Sequence, residues 1–346
     1  MANKNLLVGE DEVEGMIGVT DSEDDEEEEE EAAGLMASNG DVVYAWPDVS
    51  PGHAARYQME VDQIRATFEE DIEGQIDETM VSEYSEDIFE YMSELEEDIM
   101  PNPDYMSSQG EVNWGMRQTL VDWIQQVHLR YHMLPETLWI AVNIVDRFLT
   151  HRVVSLVKLQ LVGVTAMLIA SKYEEILAPS VDEFSYMTGN GYTREEILKG
   201  ERIVLQTIEF KVSHYCSPYS WMRKISKADD YDIQTRTLSK FLTEITLLDH
   251  RFLRVKPSLI AAIGMYTARQ MLGGDWNDAF VFYSGYTEEQ LIPGHNLLID
   301  KLTEPNFETL YICKKYGSKK FFKASGYAVE WARSQIPTEG EGMVFA

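Results

Sequence analysis

Cysteine is scarce: the 346 residues contain two, Cys216 and Cys313. Two cysteines make no disulfide scaffold, and no Cys/His spacing suggests a metal site. Such sparing use fits a reducing, intracellular compartment. The chain has no G-x-G-x-x-G and no G-x-x-x-x-G-K-[ST], so no loop is marked out to cradle phosphates. It has no H-E-x-x-H and no G-x-S-x-G. Gly189-Asn190-Gly191 is a lone Gly-x-Gly and reads as a turn. His128 and His132 stand four apart on one predicted helix, but no carboxylate or third ligand is supplied nearby. They read as core or surface histidines. No cofactor and no metal is expected, and no catalytic constellation can be assembled. The opening MANKNLLVGEDEVEG lacks an apolar run of signal-peptide length and a cleavage pattern. The uncharged stretch 161–170 is too short to span a bilayer, which needs about 20 apolar residues. The expectation is a soluble protein with no membrane segment.

Basic residues are missing from the N-terminal third. Residues 1–110 carry 33 Asp/Glu against 3 Lys/Arg, while the remainder carries 27 against 26. Almost all of the formal charge of −31 therefore belongs to that third. Neither part has the clustered Lys/Arg that nucleic-acid binding by counterion release requires. Residues 1–79 read as an acidic disordered tail, because the acidic run 21–31 self-repels and buries too little surface to fold. Lys4 is the one lysine before Lys158, and hence the one tail side chain open to ubiquitin.

What is present is helical periodicity. From Tyr84 onward, Ile88, Tyr91, Met92 and Leu95 recur at helical spacing until Pro101 and Pro103. This helix is too short to be stable alone and must dock. Met116, Leu120, Trp123, Ile124, Val127 and Tyr131 form the next stripe. Pro135 opens another helix, with Leu138, Val142, Val145 and Phe148 on one face. Residues 155–177, SLVKLQLVGVTAMLIASKYEEIL, are apolar on all sides in the middle, as in a helix buried on all sides. That helix breaks into charge at Lys172, Glu174 and Glu175. A short helix over 181–187 and the segment GYTREEILKGERIVLQTIEF follow, the latter opened by a capping box from Thr193 to Glu196.

A second set begins at residues 217–219. Trp221 and Ile225 mark a short helix, 233–248 a long amphipathic one, and 256–272 a second nearly all-apolar one. GYTEEQLI at 285–292 then echoes GYTREEIL at 191–198, again with a capping box, Thr287 to Gln290. The echo marks a tandem repeat of one five-helix unit. Gly326, Tyr327 and Trp331 belong to a C-terminal helix. No period-2 pattern is long enough to argue for a sheet. The fold class is all-α. The expected boundaries are a tail at 1–79, a docking helix and first repeat at 80–213, a second repeat and C-terminal helix at 214–335, and a disordered end at 336–346. Arg117 and Asp146 are charges inside apolar stripes. They read either as a buried pair between the first two helices of the repeat or as exposed charges on helix edges.

At these residues the sequence resembles the cyclin family. MRQTLVDW (116–123), VDRFL (145–149), KLQLVG (158–163) and ASKYEEI (170–176) follow one another as they do in the cyclin box. KADDYDIQTRT, LLDH and YSGYTEEQL, at 227–237, 247–250 and 283–291, resemble mitotic B-type cyclins, most of all the fungal ones. The resemblance covers about residues 84–335. It implies two cyclin boxes in tandem that bind and activate a mitotic cyclin-dependent kinase as a heterodimer, with no catalysis of their own. It assigns Lys172 and Glu201, with Tyr173 and Glu174, to the kinase's αC helix, and Leu205, Phe210 and Val212 to an apolar seat beside them. Met116, Thr119, Leu120, Trp123 and Gln160 match an exposed patch that recruits substrates or inhibitors bearing Arg-x-Leu. Thr119 stands where an apolar residue is common. Arg117 and Asp146 match a structural ion pair. Nucleus and cytoplasm are the implied locations, and ubiquitin-ligase machinery is a further implied partner.

Two other classes compete. A cyclin-fold transcription factor would need a basic face to hold DNA, which this charge distribution lacks, and a transcriptional-kinase cyclin is the alternative beside it. An enzyme with an interhelical pocket would need acid–base or nucleophilic groups that the sequence does not assemble. One expected feature is missing. The tail arginines, Arg56 and Arg65, open RYQM and RATF, and neither is the R-x-x-L of a destruction box. The R-x-x-L matches at Arg117, Arg202 and Arg269 lie in predicted helices. Either upstream sequence is missing or destruction is signalled differently.

Overall fold

Pro135 and Pro257 each open a helix at the position where a missing N–H costs nothing, and those two helices lie one in each of two successive repeats. The computed structural model describes residues 35–36, 42–43, 45–68 and 84–335. Two units are distinct, Met1–Pro51 and Gly52–Ala346. In the first, Leu35–Met36 pairs antiparallel with Val42–Val43. This is two residues a side, too short for the sequence pattern to announce. The acidic run 21–31, Lys4 and the end at 336–346 lie outside the described residues.

The helices are α1 (Pro51–Thr67), α2 (Ser85–Asp98), α3 (Trp114–Arg130), α4 (Pro135–His151), α5 (Leu156–Glu174), α6 (Val181–Met187) and α7 (Arg194–Thr207). They continue as α8 (Pro218–Ile225), α9 (Ile233–Thr246), α10 (Pro257–Met271), α11 (Asp278–Ser284), α12 (Glu288–Thr303), α13 (Tyr311–Tyr316) and α14 (Ala324–Gln335). Helices α3–α7 wrap around α5, and α8–α12 wrap around α10. At 19 residues α5 is long and apolar enough to cross a membrane, so length does not exclude a span. Its residues from Val162 to Ser171 are buried inside the domain instead. Each central helix admits a neighbour at a glycine. A methyl group on Gly163 would stand 2.7 Å from Leu120 Cδ1, and one on Gly264 only 2.2 Å from Thr243 Oγ1.

The capping boxes mark the repeat. Thr193 N–H donates to Glu196 Oε2 at 2.9 Å, and Thr287 N–H donates to Gln290 Oε1 at 2.9 Å. A third box, Ser180 with Glu183, opens α6.

Arg117 and Asp146 lie in the core, 2% exposed each. Arg117 Nε donates to Asp146 Oδ1 at 2.6 Å and Nη2 to Oδ2 at 2.7 Å. Tyr105 Oη adds a bond to the same carboxylate at 2.8 Å. Arg117 Nη1 reaches across to the Leu247 carbonyl in the second repeat at 2.8 Å. Burial opposes the Arg117 charge, but the adjacent carboxylate outweighs it and raises the pKa above the ordinary value. The repeats also meet where Trp114 stacks on His250 and where the Tyr311 N–H donates to Asp122 at 2.7 Å.

Helix α2 docks, but on a stripe rotated from the expected one. Ile88 and Tyr91 are exposed. Phe89 instead packs against Trp221, Ile99 is buried just past the helix, and Glu96 is buried. Glu96 accepts from the Ser258 N–H at 3.0 Å and the Ser258 hydroxyl at 2.6 Å. That is the N-terminus of α10, where a carboxylate meets the positive end of the helix dipole.

The expectation of disorder over 1–79 is corrected at α1. Tyr57 and Val61 are buried, Phe68 stacks on Phe282 at 4.6 Å, and Arg56 meets both Glu289 oxygens at 2.6 Å. The acidic composition hid three apolar anchors spaced along one helix and its end.

Two measurements test this core. Arg117→Ala should cost about 3–5 kcal/mol in urea unfolding, because Asp146 is left buried and unpaired. A loss under about 1 kcal/mol would contradict the burial described. The second concerns His295, bonded to Thr267 Oγ1 and edge-on to Tyr266 and Trp331. Burial pushes its imidazole down to about 4, against about 6.5 unfolded. The unfolded chain therefore takes up the proton first as pH falls. The stabilisation is whole above about pH 6.5 and is lost on the way to about 4. Urea midpoints should fall between pH 7 and pH 5, and His295→Gln should flatten part of that fall.

Candidate functional site

The charged end of α5 stops beside the middle of α7. Lys172 Nζ donates to Glu201 Oε1 at 2.6 Å. The lysine side chain is 47% exposed and the glutamate 14%. An exposed pair of this kind contributes about 0–1 kcal/mol to stability, so the fold does not depend on it. Tyr173 is exposed beside it. Glu174 is half-buried, and burial raises its pKa, with Glu136 and Glu175 adding to the shift.

Three features of this edge were not legible beforehand. Glu175 turns inward and accepts from the Leu134 N–H at 2.7 Å and the Thr137 hydroxyl at 2.6 Å. Leu134 cannot cap α4 with its own side chain, so the carboxylate does so from the end of α5. Ile176 and Leu177 follow, 95% and 89% exposed. Two adjacent large apolar residues set fully into water mark a surface awaiting cover. The third feature is Arg147, whose Nη1 donates to the Lys211 carbonyl at 2.7 Å and Nη2 to the Ile208 carbonyl at 3.2 Å. These bonds satisfy carbonyls left over at the C-terminal end of α7. Its only sequence signal was a second charge beside Asp146 in the α4 stripe.

Arg147 thereby holds an unusual turn. Glu209 and Phe210 both have positive φ, 55° and 59°. The left-handed region costs non-glycine residues about 1–2 kcal/mol each. The turn sets Phe210 outward, 65% exposed, while Leu205 is half-buried and Val212 is buried beneath. Of the apolar seat expected from the sequence, Leu205 and Phe210 reach the surface and Val212 supports them. Val212 lies inside because Arg147 and the chain reversal draw the segment against α4.

The second predicted surface lies on α3 and α5. Met116, Trp123 and Gln160 are half-buried and Thr119 is exposed. Leu120 is corrected: it is buried against Gly163 and forms the floor rather than the face of the patch. The Thr119 hydroxyl donates back to the Gly115 carbonyl at 2.9 Å. An open cleft of about 710 Å³ continues past Trp123 along the end of α3, between α6 and α13. His128 is buried and donates through Nε2 to the Leu134 carbonyl at 2.8 Å, while His132 lines the cleft past the helix end with φ 54°. Among the described residues no group of His, Cys, Asp and Glu is placed to hold a metal ion.

Two five-helix repeats, each around a buried helix, with an exposed charged and apolar edge on the first, define a helical binding protein of cyclin type. The model of the cyclin N-terminal domain matches residues 87–213 and that of the cyclin C-terminal domain residues 216–329. Together they take in most of the chain, which belongs to the cyclin family. Within that family it is similar to G2/mitotic-specific cyclins of fungi. It is 53% identical over 269 residues to cyclin cdc13 of Schizosaccharomyces pombe, covering 77% of this chain and 55% of the relative. It is 50% identical over 264 residues to cyclin-B of Emericella nidulans, covering 76% and 55%. The chain thus spans a little over half the length of these relatives. A viral cyclin from herpesvirus saimiri has the same fold, with a TM-score of 0.54 at 17% identity over 60% of this chain and 95% of the other.

Arg147→Ala should release the two carbonyls at the α7 end and cost about 1–3 kcal/mol. Hydrogen exchange over residues 208–212 should quicken more than exchange in α5. Equal protection across the turn in the two proteins would mean that Arg147 does not hold it.

Proposed function

We propose that this chain is the regulatory subunit of a mitotic cyclin-dependent Ser/Thr protein kinase and controls entry into mitosis, acting in the nucleus and cytoplasm. The single observation that carries the reading is the edge where Lys172, Phe210, Ile176 and Leu177 stand out from a helical body, with Glu201 half-buried beside Lys172. The names of the fungal relatives, G2/mitotic-specific cyclins, point the same way.

The physics of activation fits a rigid partner. A protein kinase needs its catalytic lysine paired to a glutamate on its αC helix, and that helix is mobile. A protein that binds only the inward position of αC shifts the equilibrium toward it by the difference in affinity. Lys172 offers donors to backbone carbonyls of the kinase, and Glu201 accepts from backbone N–H groups. Phe210 and Leu205 supply apolar area, and Val212 backs them. Durable interfaces of this kind usually bury over about 2,000 Å². The patch of Met116, Thr119, Trp123 and Gln160, floored by Leu120, would recruit substrates or inhibitors by taking the leucine of an Arg-x-Leu motif. Ubiquitin-ligase machinery would act through Lys4, which lies outside the described residues.

The test is reconstitution with a purified monomeric mitotic cyclin-dependent kinase and a Ser-Pro substrate. Lys172→Glu and Glu201→Lys should each weaken association at least about thirtyfold, or about 2 kcal/mol. The double exchange restores the internal ion pair but reverses both charges toward the kinase. It should stay inactive. Recovery of activation by the double exchange would reduce the two residues to an internal brace. Absence of any complex with the wild type would remove the kinase reading itself.

A further inference from the structure

The cleft past Trp123 has a charge character that the Arg-x-Leu reading does not predict. Trp123, Tyr131, Tyr186 and Tyr311 give it aromatic walls, and Val127 and Met187 add aliphatic surface. None of its lining residues is Asp or Glu. The carboxylate next to it in sequence, Asp122, is already engaged. Its Oδ1 accepts from the Tyr311 N–H at 2.7 Å and its Oδ2 from Gln126 Nε2 at 2.9 Å. An arginine entering this cleft would meet no carboxylate in its lining, and Asp122 beside it already carries two hydrogen bonds.

It would meet a cation instead. Arg130, the last residue of α3, is exposed on the rim. Among the described residues it has no hydrogen bond or ion pair. Several other arginines of the folded part are taken up, as Arg117 by Asp146, Arg147 by two carbonyls, Arg251 by Asp249 and Arg333 by Glu308. The cleft thus joins aromatic and aliphatic walls to one unneutralised guanidinium, which pairs two-pronged with carboxylates.

We propose that this cleft docks an acidic segment of a partner protein, with one apolar side chain against Trp123 and a carboxylate on Arg130. The proposal rests on the reading of the Met116–Trp123 surface as a docking patch and names the class of peptide that patch selects. Tyr311 belongs to the helices after the second repeat, so a bound peptide would run from the first repeat onto α13. Specificity follows from charge: with a leucine seated on the patch, a flank that reaches Arg130 binds tighter when it is acidic than when it is basic.

The experiment uses the full chain and two short labelled peptides with the same leucine core, one flanked by glutamates and one by arginines, read by fluorescence anisotropy. The acidic peptide should bind at least about tenfold tighter. Arg130→Glu should abolish or invert that preference, and Trp123→Ala should weaken both peptides. Equal binding, or tighter binding of the arginine-flanked peptide, overturns the acidic class while leaving the docking patch in place. Binding of neither peptide overturns the patch reading as well. Binding of the acidic peptide only after removal of residues 1–44 would make the chain's own acidic tail the occupant and overturn docking in trans. An acidic preference unchanged in Arg130→Glu would overturn the assignment to this cleft.

Discussion

The buried pair of Arg117 and Asp146 is the constraint on which the architecture turns. A guanidinium and a carboxylate at 2% exposure are tolerable only with every polar atom engaged. Two parallel bonds join them, Tyr105 supplies a third group and the Leu247 carbonyl a fourth. Those partners come from α3, from α4, from the turn before α3 and from the second repeat. Satisfying one buried charge therefore fixes four segments against one another. Such a pair adds less to stability than apolar residues of the same size could, but it allows a single arrangement.

The same logic recurs around the second repeat. Glu244 is buried, and burial works against its charge. Lys315 and the hydroxyls of Tyr219 and Tyr316 outweigh that and hold its pKa below the ordinary carboxylate range. Glu96 ties α2 to the N-terminus of α10 through Ser258, although there burial outweighs the hydrogen bonds and raises its pKa. The segments outside the repeats, α2 and α13, are thus anchored by carboxylates as well as by rings. A stack of apolar helices can slide, and a satisfied buried charge cannot.

The proposed binding edge is built on opposite terms. Lys172 and Glu201 meet where water screens them, Phe210 is pushed outward by a left-handed turn, and Ile176 and Leu177 have no cover. The rigid interior holds this edge in place. Arg147 locks the turn from behind, and Glu175 ties the end of α5 to α4. A surface whose own contacts are weak, on a frame that does not yield, is suited to impose a shape on a softer partner.

Much of this was legible in the sequence. Helical periodicity, capping boxes and the echoed GYT motif determined the two repeats and their central helices, because these signals are local. Motif order determined the family and brought Lys172 and Glu201 forward together. The charge asymmetry located the acidic tail, although it hid α1, which runs into Phe68, stacked on the far-off Phe282, and is tied by Arg56 to Glu289. What only the tertiary structure decided was direction and partnership. It decided that α2 packs Phe89 on Trp221 and buries Glu96 while Ile88 and Tyr91 stay exposed, that Leu120 faces Gly163, that Glu175 caps a distant helix, and that Arg130 stands unpaired beside aromatic rings. The physical reason is common to all of them. Periodicity fixes which residues share a face of a helix, but whether that face meets core, solvent or another charge depends on segments far away in the chain.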